Sequence, residues 1–308
     1  MKNKKNFFQR MTMPLEDLQL YYQLRRLKAF EENNPIKGIP IKKFIHPILI
    51  FAISINRKLN NNSLYILSDK RKETNKPIIY AATHMGYNDI EMIFAAIKKH
   101  AYLLLGDPRE LYRKLDGMLL DLNGVICFDT DNKLDRYIGK ETCVKLINQG
   151  ADLLIFPEGA WNITENLPVM GLYTGTVQIA LRTGAEIIPI AIEHYNNDYY
   201  INIGENIDWS EQSLENCKSL TAELRDVLAT LKWDIWSKFP VEKRSCIPDT
   251  YSTTYINFFK EQMDDSYSLS DILESTYYDK NIVAPEDAFE YLDRLILCKE
   301  NAFLFRRK

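Results

Sequence analysis

Between about residues 77 and 195 the chain alternates short apolar, β-prone runs with segments of helical apolar spacing. KPIIYAA, AYLLLGD, VICFD, DLLIFPEG and EIIPIAIEHY read as strands. DIEMIFAAIKKH, ELYRKLDGMLLDLNG, KLDRYIGKETCVKLINQG and TGTVQIALRTG fall between them and read as helices, the last three closed by Gly124, Gly150 and Gly184. Such alternation calls for crossover connections, which set strands parallel and lay helices over the sheet. The expected fold class is therefore α/β: a layered domain with a central, largely parallel or mixed sheet flanked by helices.

The flanks are simpler. Residues 14–32 read as a polar-rich helix, ended by the break at Pro35, Gly38 and Pro40. In IKKFIHPILIFAISINRKLN the apolar centre, interrupted by His46 and Pro47, is too short to span a bilayer. Lys42, Lys43, Arg57 and Lys58 bracket it, which suits a helix lying in a membrane interface; a helix packed on the core is the alternative. NNNSLYILSDKRKETNK reads as a polar approach to the first firm strand, and YYINIGENIDW as an edge strand or two. SLENCKSLTAELRDVLATLKWDIWSKF reads as a long helix opened by Ser210 or Ser213. From about Pro240 the chain is mostly helical and tyrosine-rich, with Tyr251, Tyr255, Tyr267, Tyr277 and Tyr278 suited to packing a small appendage. The division expected is an N-terminal helical segment, 1–39, a main domain, 40–245, and a helical C-terminal appendage, 246–308.

Charge excludes one class. With 39 basic and 42 acidic residues, the chain is not a dedicated nucleic-acid binder. Residues 1–76 nevertheless carry 16 Lys/Arg against 6 Asp/Glu, and residues 246–308 carry 7 against 12. A basic front suits an anionic membrane surface. Cys127, Cys143, Cys217, Cys246 and Cys298 form no C-x-x-C pair, so neither a disulfide framework nor a zinc site is implied, and a reducing cytoplasm fits. Cys127, in an apolar strand, reads as buried and inert. The opening MKNKKNFFQRMTMPLEDLQL has no apolar core long enough for a signal peptide.

The chemistry gathers where strands end. In ATHMGYNDIEMIF, His84 sits at the exit of a strand and Asp89 at the entry of a helix, with Gly86 and Asn88 marking the turn. On one regular helix, residues five apart point about 140° from each other. Across a loop and a first helical turn they can meet, and the helix start favours the carboxylate. A carboxylate holding one ring nitrogen fixes the tautomer and frees the other as a base. Asp129 to Arg136 follow a second strand, and Pro157, Glu158 and Gly159 a third, at the carboxyl-end address where open α/β sheets bind ligands. Glu158 there can accept hydrogen bonds from a polyol, and Gly159 lets backbone approach a ligand. A G-x-S-x-G elbow, a P-loop and a G-x-G-x-x-G are all missing, and His46, His84, His100 and His194 show no metal-ligand spacing. His100 and His194 read as structural or surface groups.

THMGYND, LDGMLLDLNGVICFD, LLIFPEGAW and IIPIAI, in that order, resemble the glycerolipid acyltransferase family, which includes the bacterial 1-acylglycerol-3-phosphate acyltransferases. The resemblance spans roughly residues 40–240. It implies the layered acyltransferase fold and an O-acyltransferase moving a fatty acyl group from acyl-CoA or acyl carrier protein to a hydroxyl of a lysophospholipid-like acceptor. No cofactor is implied beyond that acyl co-substrate. His84 matches the family's catalytic base and Asp89 its orienting acid. Gly124 and the residues around Asp129 match the second, acceptor-binding motif. Phe156, Pro157, Glu158 and Gly159 match the third, and Ile188, Pro189 and Ile190 the fourth.

Two departures bear on the acceptor. The second motif carries Arg after its Asp, where this chain has Thr130. The third continues Thr-Arg, where this chain has Ala160 and Trp161. A bidentate guanidinium is not replaced by a neutral side chain without loss. Lys133, Arg136 and Arg182 are the candidate stand-ins, and Trp161 offers a flat face to an acyl chain, a sugar ring or the core. The expectation is a peripheral or monotopic protein at the cytoplasmic membrane face, with a lipid acceptor, acyl-CoA or acyl carrier protein as partners and no nucleic acid. The alternatives are a non-phosphatidate acceptor (glycolipid, aminolipid or polysaccharide precursor) and a non-catalytic lipid-binding protein. The many Ile, Asn and Lys residues hint at an AT-rich bacterial genome.

Overall fold

The computed structural model describes residues 9, 10, 12–86, 88–106, 110–164, 167–240, 246–262 and 268–277. In chain order these form α1 (Leu15–Glu31), α2 (Ile39–Leu59), β1 (Ser63–Asp69), β2 (Ile78–Ala82), α3 (Asp89–Ile97) and β3 (Tyr102–Gly106). There follow α4 (Leu115–Asn123), β4 (Val125–Phe128), α5 (Lys133–Asn148), β5 (Leu153–Ile155), α6 (Gly175–Thr183), β6 (Glu186–Tyr195) and β7 (Asp198–Ile203). The last three are α7 (Cys217–Trp236), α8 (Tyr251–Gln262) and α9 (Leu269–Ser275). Cys298, Tyr267 and Tyr278 lie outside the described residues.

The strands form one mixed sheet in the order β1-β7-β6-β2-β5-β3-β4. From β6 to β4 every neighbouring pair is parallel, so five strands deliver their carboxyl ends to one edge. β7 turns back antiparallel on β6 and carries β1 parallel to itself. SLYILSD, expected to be polar approach, is therefore an edge strand. β7, expected at the edge, is interior. Register explains both: β7 pairs with β6 along Ile190 to Tyr195, and its other edge pairs with Ser63 to Asp69.

β2 is at the centre, and all five of its residues are buried. Its side chains alternate between two cores, as a pleated strand requires. Ile79 and Ala81 face α5, α6 and α7 through Leu146, Ile179 and Leu224. Ile78, Tyr80 and Ala82 face α3 through Met92, Ile93 and Phe94. Each fully buried Ile or Leu contributes roughly 1.5–3 kcal/mol, so the middle of the sheet is a rigid base for the loops at its carboxyl edge.

Two helical expectations change. The segment from Glu110 is split into a short 3-10 turn, Glu110–Arg113, and α4. A side chain at Gly117 would strike the backbone of Leu111, so the turn and the helix pack closely. α2 continues for 21 residues through Pro47, about 31 Å of helix, and is long and apolar enough by length and composition to cross a membrane. That corrects the reading of a segment too short to span. Nor does it pack as a core helix. Ile41, Phe44, Ile48, Phe51, Ile55 and Leu59 recur at helical spacing and all are exposed, Phe44 by 77%. The buried side of α2 is held by His46, whose Nδ1 donates to Asn123 Oδ1 at 2.7 Å.

Candidate active site

The turn after β2 is pinned from several directions. The Thr83 N–H donates to Ile190 O at 3.0 Å, and the Thr83 hydroxyl accepts from the Ile192 N–H at 3.0 Å. The next residue, His84, has both backbone polar groups taken by the loop that follows β5. Its N–H donates to Glu158 Oε1 at 2.9 Å, and its carbonyl accepts from the Asn162 N–H at 2.8 Å. The backbone of residue 84 is thereby fixed before its side chain does anything.

Nδ1 of His84 lies 2.7 Å from Asp89 Oδ2. The same oxygen accepts the backbone N–H groups of Met85 at 2.8 Å and Gly86 at 2.9 Å. With three donors converging on it, Oδ2 acts only as an acceptor, so Nδ1 carries a proton toward it, and in the neutral ring the lone pair is then on Nε2. Asp89 is buried in the first turn of α3, where the helix dipole supports its charge. Its other oxygen, Oδ1, has no hydrogen-bond partner among the described residues. The His84 side chain stays 13% exposed, enough to meet a substrate atom.

Aromatic rings complete the surroundings. His84 stacks on Phe156 with centroids 4.1 Å apart and planes 24° from parallel, and meets Trp161 edge to face at 6.2 Å and 79°. Gly86 has a φ of 94°, and a Cβ there would run into the Trp161 ring. Only glycine meets both demands. A cavity of about 50 Å³ adjoins the turn on the Asp89 side, bounded by Met85, Gly86, Asp89, Tyr199, Tyr255 and Phe259.

The other expected site residues separate into two groups. Phe156, Pro157, Glu158, Gly159 and Trp161 all lie in the loop that grips His84. Glu158 is fully buried, and its second oxygen accepts the Met170 N–H at 2.8 Å. Both of its oxygens therefore hold backbone instead of facing a ligand. Burial pushes its carboxyl above the ordinary range, opposed by the Met170 and His84 amides and by the Lys232 cation. Pro157 O accepts the Tyr173 N–H at 2.9 Å, and Gly159 lies against the Tyr173 ring.

The second group is committed elsewhere. Asp129 is buried beneath α1, with Oδ2 accepting from Gln19 at 2.7 Å and also from Gln23. Asp135 binds Arg26 through both oxygens, at 2.9 and 2.5 Å, and takes the Asp129 N–H at 2.7 Å. Arg136 donates to Thr130 O, Arg182 is paired with both oxygens of Glu141 at 2.6 and 2.8 Å, and Lys133 is exposed at the start of α5. Gly124 precedes β4, so it lies at the amino end of that strand, across the sheet from His84. Ile188 and Ile190 are buried in β6 beside β2. Burial pushes the Cys127 thiol up to about 12, in keeping with an inert cysteine.

Sequence reading missed Asn162, Met170 and the α1 residues. Gln19, Gln23 and Arg26 carry a signal that was there to be used: polar groups at i, i+4 and i+7 share one helix face. Asn162 and Met170 act through backbone N–H groups, which every residue possesses, and so left no trace.

An imidazole held by a carboxylate at one ring nitrogen, with a second buried acid beside it, is an arrangement that can act as a general base. Residues 64–193 match the model of the acyltransferase family. Residues 64–193 are an acyltransferase-family domain. The acyltransferase domain thus contains His84, Asp89 and Glu158. The chain is 23% identical over 117 residues to a 1-acyl-sn-glycerol-3-phosphate acyltransferase of Chlamydomonas reinhardtii, an overlap of 38% of this chain. It spans about a third of that relative, 34% of its length. In fold it is similar to the crystal structure of PlsC, the 1-acyl-sn-glycerophosphate (LPA) acyltransferase of Thermotoga maritima, with a TM-score of 0.53 at 13% identity. That likeness covers 75% of this chain and 100% of PlsC.

Proposed function

We propose that the protein moves a fatty acyl group from an acyl thioester, acyl-CoA or acyl carrier protein, to a hydroxyl of a lysophospholipid-like acceptor. The observation carrying this reading is the 2.7 Å contact between His84 Nδ1 and an Asp89 oxygen that already accepts two amides. Nε2 removes the hydroxyl proton as the oxygen attacks the thioester carbonyl. The imidazolium formed is offset by Asp89. Collapse of the tetrahedral intermediate breaks the carbon–sulfur bond, and the thiolate leaves with the proton returned from Nε2. The step balances without a metal or cofactor.

Reaction at a membrane surface of the cytoplasmic side fits α2. Its exposed apolar face is about five turns long and has Lys42, Lys43, Arg57 and Lys58 near its ends. Leu115, Met118, Leu119 and Leu122 of neighbouring α4 are exposed as well. Apolar side chains entering the acyl boundary with basic groups among the headgroups describe an interfacial helix.

A second reading concerns the acceptor. Trp161 stands edge-on to His84, and Arg182 is held by Glu141. A neutral, flat-faced acceptor such as a glycolipid fits this setting better than a phosphate monoester. Thiol release, with acyl-CoA and acyl carrier protein crossed against lysophosphatidate, other lysolipids and glycolipids, tests both readings. Release that requires lysophosphatidate supports the first, and release with glycolipid alone supports the second. No acceptor-dependent release from any donor rejects acyl transfer.

A further inference from the structure

The grip on His84 has an outer support that the family match does not include. α8 and α9 lie beyond residue 193 and pack directly on the loop after β5. Phe259 of α8 and Ile272 of α9 are buried in one cluster with Ala160, Ile163 and Met170, against which Trp161 is also packed. Polar contacts tie down the same loop at separate points. The Tyr255 hydroxyl donates to Thr164 O at 3.2 Å, and the Tyr173 hydroxyl to Ser275 O at 3.1 Å. The Tyr277 ring fills the space a side chain would take at Gly171.

Three residues of this loop reach the catalytic turn. Met170, 3% exposed and in that cluster, donates its N–H to Glu158. Glu158 accepts the His84 N–H, and Asn162, next to buried Ile163, donates to the His84 carbonyl. Tyr255 and Phe259 also bound the cavity on which Asp89 opens. From the Phe259 cluster to the His84 backbone N–H there is thus a path of packed side chains and two short hydrogen bonds.

We propose that the α8–α9 segment is a working part of the active site, with Phe259 a positioning residue that holds the general base through Met170 and Glu158. The inference rests on the acyl-transfer reading above. A filled cluster keeps the Met170 amide under Glu158. Emptying it lets the loop settle inward and turns the carboxylate that orients the backbone of residue 84. Displacement of a catalytic group by about 1 Å costs up to 100-fold in rate.

The test uses full-length protein carrying Phe259→Ala, Phe259→Leu or Tyr255→Phe. Two quantities are read: thiol release from acyl-CoA at saturating lysolipid, and the ring 15N signals of His84, identified by their loss in His84→Ala. Phe259→Ala is expected to lower kcat on the order of 10- to 100-fold with acceptor KM little changed, and to move the His84 ring signals. Phe259→Leu is expected to recover most of both. Tyr255→Phe is expected to do the same in smaller degree, and decides the matter where the alanine variant does not fold. Unchanged kcat and unmoved ring signals in the folded variants overturn the proposal. If the wild-type protein releases no thiol from any donor, acyl transfer is what fails. The ring signals then decide the positioning role by themselves, and unmoved signals overturn it.

Discussion

His84 donates its Nδ1 proton to Asp89 across 2.7 Å, and the accepting oxygen already holds two backbone amides. The imidazole is thus oriented by a group that is itself immobile. Replacing His84 by alanine is expected to reduce acyl transfer by about 10²–10⁴-fold, the usual worth of general-base catalysis. Circular dichroism of the variant is expected to match wild type, because the interactions of residue 84 with Glu158 and Asn162 run through backbone. Wild-type turnover in a folded His84→Ala protein rejects the mechanism.

Gly86→Ala is expected to destabilise the turn without altering His84 or Asp89. The substitution brings a Cβ into the Trp161 ring at a φ of 94°. Such backbone strain costs about 1–3 kcal/mol, before the clash is counted. Adding Trp161→Ala is expected to relieve the clash and leave the strain. Gly86→Ala therefore costs less stability in the Trp161→Ala background than in wild type. An equal cost in both backgrounds disproves the contact.

Asp129 offers a test of which residues meet the acceptor. Its oxygen is held by Gln19 and Gln23, so Asp129→Ala strands two side-chain amides and one backbone N–H from Asp131. A loss of about 1–3 kcal/mol in folding stability is expected, with acceptor KM unchanged. A raised KM at unaltered stability returns Asp129 to the acceptor site.

Acid is expected to weaken the fold through His100. Burial lowers this imidazole to about 4, against an ordinary value of 6.5, helped by the nearby His46 and opposed by its hydrogen bond to Asn123. Nε2 donates to Asn123 O at 2.6 Å, and Nδ1 has no partner among the described residues. The unfolded chain binds the proton first, so stability is full above pH 6.5 and is lost as pH falls toward 4. The loss amounts to about 3 kcal/mol at most. Urea unfolding across that range is expected to show the slope in wild type and a flatter one in His100→Gln. An identical slope in both assigns the acid sensitivity elsewhere.

The membrane reading rests on α2. Phe44→Glu or Phe51→Glu removes an exposed apolar side chain worth about 1.5–3 kcal/mol when buried, so binding to vesicles containing anionic lipid is expected to fall at least tenfold. Co-sedimentation reads this directly, and thermal stability is expected to stay as in wild type. Undiminished vesicle binding by both variants removes α2 from the interface.

What the linear order of residues determined is short in range. Apolar runs alternating with helical periods dictate parallel strands and covering helices, and a loop between His84 and Asp89 lets a five-residue separation close. Both outcomes depend on spacing alone, because side-chain period and local turns are properties of neighbouring residues. Tertiary structure decided the rest. Glu158, 74 residues from His84, became a backbone clamp and not a ligand acceptor because β2 and β5 lie side by side and leave it no solvent. Asp129 was taken up by helix α1, about a hundred residues earlier, and α8 came to rest on the loop beside His84. Partners so far apart in the chain meet only through the packing of the whole sheet, and a backbone amide that serves as a donor looks the same in every sequence.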